Sequence, residues 1–251
     1  MNKKNVFSIS LWLVLGLISG FVFLNLTYQK SLPDVLEAAS PSVVNIWSIK
    51  KWKAWQEKSN LLGIKRYQQV IKTGFFPNGS GVVLNEDGKI VTNFHVIKEA
   101  FKNQQRLIIE LNNGEISEAI ILGFSEDADI AVIQTINNPN LKPIKIKKNI
   151  DELRVGEQVI AIGNPQGLGK SFSMGIVSAI NRQFKNVNGS FIQTDASINP
   201  GNSGGALIDR NGYLIGITNL IETTSGGSQG LNFAIPVDEA VSYTHLTLPT
   251  K

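Results

Sequence analysis

The chain contains no cysteine. That excludes a thiol nucleophile, a disulfide framework and a zinc site with thiolate ligands. Histidine is scarce, at positions 95 and 245 only, and no H-E-x-x-H metalloprotease pattern exists. Charge of one sign is not in large excess. Lys and Arg number 24 against 20 Asp and Glu, a net charge of +4, which is too modest and dispersed to point to nucleic acid. Helical periodicity is confined to Val35–Ala39 and a short stretch at Ile97–Phe101. A phosphate loop is suggested by "GNPQGLGKS", but Gly163 stands one position too early for a Walker pattern and no long helix follows. No cofactor and no metal are expected.

What is present is ordinary globular composition, 42% hydrophobic and 18% charged, over 251 residues. The first thirty residues differ in kind. Residues 1–5 carry Lys3 and Lys4, and the run Val6–Leu26 has no charged residue. A membrane-crossing helix needs roughly 20 apolar residues, and the flank "TYQKSLPD" lacks a small-x-small cleavage site. Residues 6–26 therefore read as an uncleaved transmembrane signal anchor, with the lysines keeping the N-terminus in the cytoplasm and the rest outside it. Residues 27–36 read as a linker.

From Ser42 the pattern is β: short Val/Ile-rich runs separated by Gly, Asn, Asp and Pro. Asn85-Glu86-Asp87-Gly88 and Asn112-Asn113-Gly114 are hairpin signals. Many short strands at regular spacing argue for an all-β barrel or sandwich. "LKPIKIKKN" alternates apolar residues with Lys, as a protected edge strand does. Lys50–Pro77 is basic and aromatic and reads as a long inserted surface loop, with contact to RNA or a membrane surface as rival readings.

Ser203 sits in "DASINPGNSGGALID" among glycines, between strand-like runs. Turn chemistry accounts for some of this. A nucleophilic serine also needs a base, a group to hold the base, and donors for an oxyanion. His95, in "VTNFHVIKEA", can serve as the base. Asp127 and Asp129, in "SEDADIAVIQ", can each hold it, and their shared strand parity leaves the choice open. The N–H groups of Gly201 and Ser203 can converge on one small hole. The order His, Asp, Ser is that of chymotrypsin and not of subtilisin.

"IVTNFHVI", "DADIAVIQ" and "IQTDASINPGNSGGALIDRNGYLIGI", with "ASPSVVNI", "GSGVVL", "AIGNP" and "GLNFAIP", resemble the HtrA (Deg) family of trypsin-like serine proteases from about Asp34 to Ala240. The resemblance implies an all-β fold, a chymotrypsin/trypsin-like pair of six-stranded β-barrels over residues 37–240. It assigns His95 as base, Asp129 rather than Asp127 as acid, Ser203 as nucleophile, and Gly201 and Ser203 as oxyanion amides. By position Thr218 matches a hydroxyl that supports the acid. Asn219 and Leu220 match the strand that pairs with substrate, and Ile198, Leu220 and Ile221 an apolar pocket for a small aliphatic residue. It further implies a protein substrate and a homotrimer. The anchor points to the membrane-held, DegS-like branch, which makes the first cut in a membrane anti-sigma factor with its protease domain in the periplasm of a bacterial inner-membrane protein. A general quality-control protease is the alternative.

After Ala240 the family pattern stops. "VSYTHLTLPTK", Val241–Lys251, is poor helix material where the family continues with a helix towards a PDZ domain. Its reverse translation matches a transposase adapter used in library preparation. Residues 241–251 are accordingly expected to be read-through of that adapter, and His245 drops out of consideration.

Overall fold

The structure, a computed structural model, describes residues 16, 19, 30–59, 65–137, 140–164, 169–184, 187–219 and 230–243. The expected anchor over 6–26 lies outside these apart from Gly16 and Ser19. Among the described residues no helix is long and apolar enough to cross a membrane.

Helix α1 (Leu32–Ala39) opens the domain. The expected linker over 27–36 therefore ends at Ser31. The reason is local: Ser31 and Asp34 form a capping box, Pro33 lies in the first turn, and Val35 and Ala39 bury their side chains.

Six strands follow: β1 (Val43–Ser59), β2 (Lys65–Val83), β3 (Lys89–Thr92), β4 (Leu107–Glu110), β5 (Ile116–Ser125) and β6 (Ile130–Thr135). They close into a barrel in the order β1-β2-β3-β6-β5-β4. Helix α2 (Phe94–Lys102) leaves the end of β3. The two expected hairpin turns are present, with Gly88 and Gly114 at φ +86° and +81°, where a Cβ is disfavoured.

The second unit contains β7 (Lys145–Ile146), β8 (Gln158–Gly163), β9 (Ser171–Phe184), β10 (Val187–Thr194), β11 (Ala206–Asp209), β12 (Tyr213–Asn219) and β13 (Asn232–Pro236). Its sheet order is β11-β8-β9-β10-β13-β12-β7. The additional β11–β12 pairing joins six of these strands into a ring. The short β7 stays outside it, parallel to β12, at the edge that the Lys alternation predicts. Helix α3 (Val237–Ser242) starts after β13. It runs two residues past Ala240, and Val241 packs part-buried against the core. Residues 244–251, His245 included, lie outside the described residues.

Strand alternation builds three cores at once. Val44, Val83, Ile90 and Ile133 fill the first barrel, and Val159, Ala161, Leu207 and Ile215 the second. Their neighbours Val43, Val82, Val91, Ile160, Ile162 and Ile208 turn the other way and weld the barrels together. A strand buried on both faces reads as a continuous apolar run. Burying one such side chain stabilises by about 1.5–3 kcal/mol, so a one-residue slip, which exchanges the two faces, is strongly disfavoured.

The stretch Lys50–Pro77 differs from its expectation. It is not an inserted loop: β1 and β2 pair continuously from Lys50↔Gly74 to Ser59↔Lys65.

Candidate active site

His95 is the second residue of α2, and Asp129 caps the start of that helix from across the barrel. The Asp129 carbonyl accepts Phe94 N–H at 3.1 Å and the Asn93 side-chain amide at 3.1 Å. Its Oδ1 accepts His95 N–H at 2.8 Å. The Phe94 and His95 N–H groups are among those that a helix start leaves without intrahelical partners. Oδ2 lies 2.7 Å from His95 Nδ1. A carboxylate accepts only, so Nδ1 carries the proton and Nε2 is left as the acceptor. Asp129 holds this pose at φ +50°, a region costly for a residue with a Cβ. Asp127 is exposed in the turn before β6.

Ser203 lies on the bend between β10 and β11, 5% exposed. The bend is held from both barrels. Ser80 N–H donates to Ser203 O at 2.9 Å, and Ser80 Oγ donates to Gly201 O at 2.8 Å while accepting Asn164 N–H at 3.0 Å. Thr92, two residues before the start of α2, donates its hydroxyl to Ser80 O at 2.7 Å. A Cβ on Gly79 would lie 2.9 Å from both Ser203 O and Val96 Cγ2, so the serine bend and the His95 helix converge on one glycine. At Gly204, φ is +80° and a Cβ would sit 2.2 Å from Ser80 O and from Thr92 Oγ1, which no larger residue tolerates. That is why the serine is followed by glycine.

The N–H groups of Gly201 and Ser203 have no acceptor among the described residues, and Gly201 has φ +100°. No hydrogen bond links Ser203 Oγ to His95 among the described residues. The His95–Asp129 pair is assembled and the serine stands beside it.

Two expected site residues sit differently. Thr218 does not support the acid. It is fully buried and its hydroxyl donates to Asn202 O at 2.6 Å, bracing the serine bend. Its neighbour Asn219 supports the acid instead, donating from Nδ2 to Asp129 Oδ2 at 3.1 Å. Successive residues on a strand point to opposite sides, and it is Asn219 that faces Asp129. Ile198 is fully buried among Leu153, Val159, Val177 and Leu207, with its N–H on Asn232 Oδ1 at 3.4 Å. It packs within the core of the second barrel. Leu220 and Ile221 lie outside the described residues. Ser80, Asn93 and Asn164 were missed as contributors; the motifs "GSG", "TNFH" and "GNP" stood in the chain, but their partners are distant in sequence. Among the described residues no group of three or more His, Asp or Glu side chains could hold a metal ion.

Two barrels with a serine bend and a His-Asp pair at their junction belong to the trypsin-like class of fold. Residues 79–217 match a family profile described as a trypsin-like peptidase domain. The periplasmic pH-dependent serine endoprotease DegQ of Escherichia coli K12 is 42% identical over 84% of this chain and 46% of its own length. The serine endoprotease DegS of Haemophilus influenzae is 40% identical over 84% of this chain and 58% of its own. The structure of the HtrA-type protease AlgW with a decapeptide superposes with a TM-score of 0.72 at 34% identity, covering 84% of this chain and 66% of that one. The chain belongs to the HtrA family of trypsin-like serine proteases. It spans about half the length of the curated relatives it matches.

Proposed function

We propose that the chain is a serine endopeptidase that cleaves proteins through an acyl-enzyme on Ser203. The observation that carries this reading is the 2.7 Å contact of His95 Nδ1 with Asp129 Oδ2, which leaves Nε2 free to take a proton. On substrate binding the Ser203 hydroxyl closes on Nε2, as such contacts tighten in the Michaelis complex. Oγ attacks the scissile carbonyl and its proton passes to Nε2. The N–H groups of Gly201 and Ser203 stabilise the oxyanion. The imidazolium, held by Asp129, then protonates the leaving amine, and water repeats the sequence to release the acyl group. A fluorophosphonate probe tests this. It should label Ser203 in the native chain and leave Ser203→Ala unlabelled; casein cleavage unchanged in that variant would overturn the reading.

The finer reading places the protease domain in the periplasm, held to the inner membrane by Val6–Leu26, as a homotrimer that makes the first cut in a membrane anti-sigma factor. The uncharged N-terminal run and the likeness to DegS and AlgW support it. The equal likeness to DegQ supports a broader quality-control role as the second reading. Light scattering on a chain starting at residue 27 checks assembly, and a monomer counts against the trimer. Proteomics of proteins trapped by Ser203→Ala separates one dedicated substrate from many.

A further inference from the structure

Past Ile49 and Phe75 the first barrel gives way to a ribbon. β1 pairs with β4 only from Asn45 to Ser48, and β2 with β3 only at Val82 and Val83. The β1–β2 ladder nevertheless continues from Lys50↔Gly74 to Ser59↔Lys65. A two-stranded ribbon without a third strand is marginal in water. What its faces present is therefore informative.

Residues directly opposed across an antiparallel ladder share a face. One face carries Lys50, Trp52, Lys72 and Phe76. It is satisfied within itself: the Trp52 ring meets Phe76 edge-on at 5.5 Å, and Lys50 Nζ lies 5.0 Å over the same ring. The other face carries Trp55, Tyr67, Ile71 and Phe75, which are 69%, 62%, 71% and 59% exposed. Among the described residues, none of these three rings packs on another ring. Lys51 and Lys53 stand between them on the same face.

The charge that reads as dispersed over the whole chain has its positive excess on this arm. Residues 50–72 hold seven of the 24 basic residues and one of the 20 acidic ones, Glu57. The remainder of the chain thus has two more acids than bases, and the arm carries the whole positive excess. Glu57 is itself occupied by Lys65 at 3.0 Å and the Tyr67 hydroxyl at 3.0 Å.

We propose that the Trp55–Tyr67–Ile71–Phe75 face is a docking surface for an anionic lipid bilayer. Indole and phenol rings settle at headgroup depth, and lysines at their flanks meet the negative surface potential, at about 1 kcal/mol per basic residue near the surface. A second copy meeting this face with its own arm would set like charge against like charge. RNA would find phosphate partners, but Ile71 offers no face for base stacking, and Arg66 is the arm's only guanidinium. The inference goes beyond the protease reading and shares with it only the expectation that Val6–Leu26 keeps the domain within reach of a membrane.

The test uses the full chain reconstituted into nanodiscs of phosphatidylcholine alone, or with about a third phosphatidylglycerol. Hydrogen exchange is read on the ribbon amides, and insertion is read separately by resistance to carbonate. Exchange in the ribbon is expected to slow by about tenfold or more in the anionic discs. Raised salt and Lys51→Glu/Lys53→Glu should restore the neutral-disc rate, and Trp55→Ser/Ile71→Ser should also restore it. Barrel amides at Val44 and Ile90 report that these variants stay folded. Equal ribbon rates in an inserted chain overturn the proposal. So does protection that follows the number of protomers per disc, which means a second copy, or protection that appears only with added RNA. A chain that carbonate strips, but whose ribbon is protected by anionic discs alone, sinks the anchor and supports the docking face.

Discussion

Asn219 Nδ2 donates to Asp129 Oδ2 at 3.1 Å, the same oxygen that His95 Nδ1 contacts at 2.7 Å. The acid is thus oriented by a residue on the second barrel, while its Oδ1 is fixed by the helix start on the first. Because Asn219 touches the acid and not the reacting atoms, it is a positioning residue. Asn219→Ala should lower kcat about tenfold, in line with one hydrogen bond to a charged group, with KM little changed. Asn219→Asp should cost more. It should also move the acid limb of the pH–rate profile upward, since a second carboxylate favours the imidazolium. A profile unmoved by Asn219→Asp would mean that the contact does not orient the site.

Asp127 and Asp129 provide a matched pair of substitutions. Asp129→Asn should reduce kcat by on the order of 10³–10⁴, because the His95 tautomer is no longer held. Asp127 is exposed and outside the bond network, so Asp127→Asn should stay within about twofold. Steady-state kinetics on a peptide substrate decides; the reverse ranking would exchange the two roles.

How much of this was legible depends on the distance over which each feature is determined. The turns at Gly88 and Gly114 were readable because their chemistry lies within four residues. His95, Asp129 and Ser203 were readable as chemically capable residues in motifs of a known family. That Asn219 and not Thr218 holds Asp129 was not, because it turns on which of two adjacent strand residues faces a partner 90 positions away. The depth of Ile198 was not legible for a related reason: an isoleucine looks the same in sequence whether it walls a pocket or fills a core. The β1–β2 ribbon was read as a loop because strand patterning comes from one buried face, and here both faces lie largely in water. Helix α1 overlaps the expected linker over residues 32–36, because its start is set by the Ser31–Asp34 capping box and not by apolar periodicity.

Ser80 ties the two barrels together under the serine. Ser80→Ala would leave Gly201 O without its donor at a part-buried position and Asn164 N–H without its acceptor at a buried one. A buried polar group left unpaired costs about 1–3 kcal/mol, so the urea midpoint should fall. In the proposed mechanism Gly201 also supplies one oxyanion N–H. Fluorophosphonate labelling and kcat should therefore drop together, by about 10- to 100-fold, while KM moves little. A variant that loses stability with full kcat would make Ser80 a purely structural tie.

Lys170 makes stability depend on pH on the alkaline side. Burial lowers its amine from 10.5 to about 8, although Nζ donates to Ser40 O. In the unfolded chain the amine keeps its proton to near 10.5. Between about 8 and 10.5 the unfolded state therefore binds more protons than the folded state, and this group's contribution to stability rises with pH. Below about 8 both states are protonated, and the partly buried ammonium is a constant cost. In Lys170→Met the group is absent, while every other lysine and tyrosine titrates as before and cancels in the difference. The native-minus-variant difference in urea midpoint, measured from pH 7 to pH 10, should thus rise with pH. The loss of the Ser40 contact shifts the variant's midpoint by a constant and leaves that slope intact. A difference that stays flat or falls across this range would show that Lys170 is not desolvated in the folded protein.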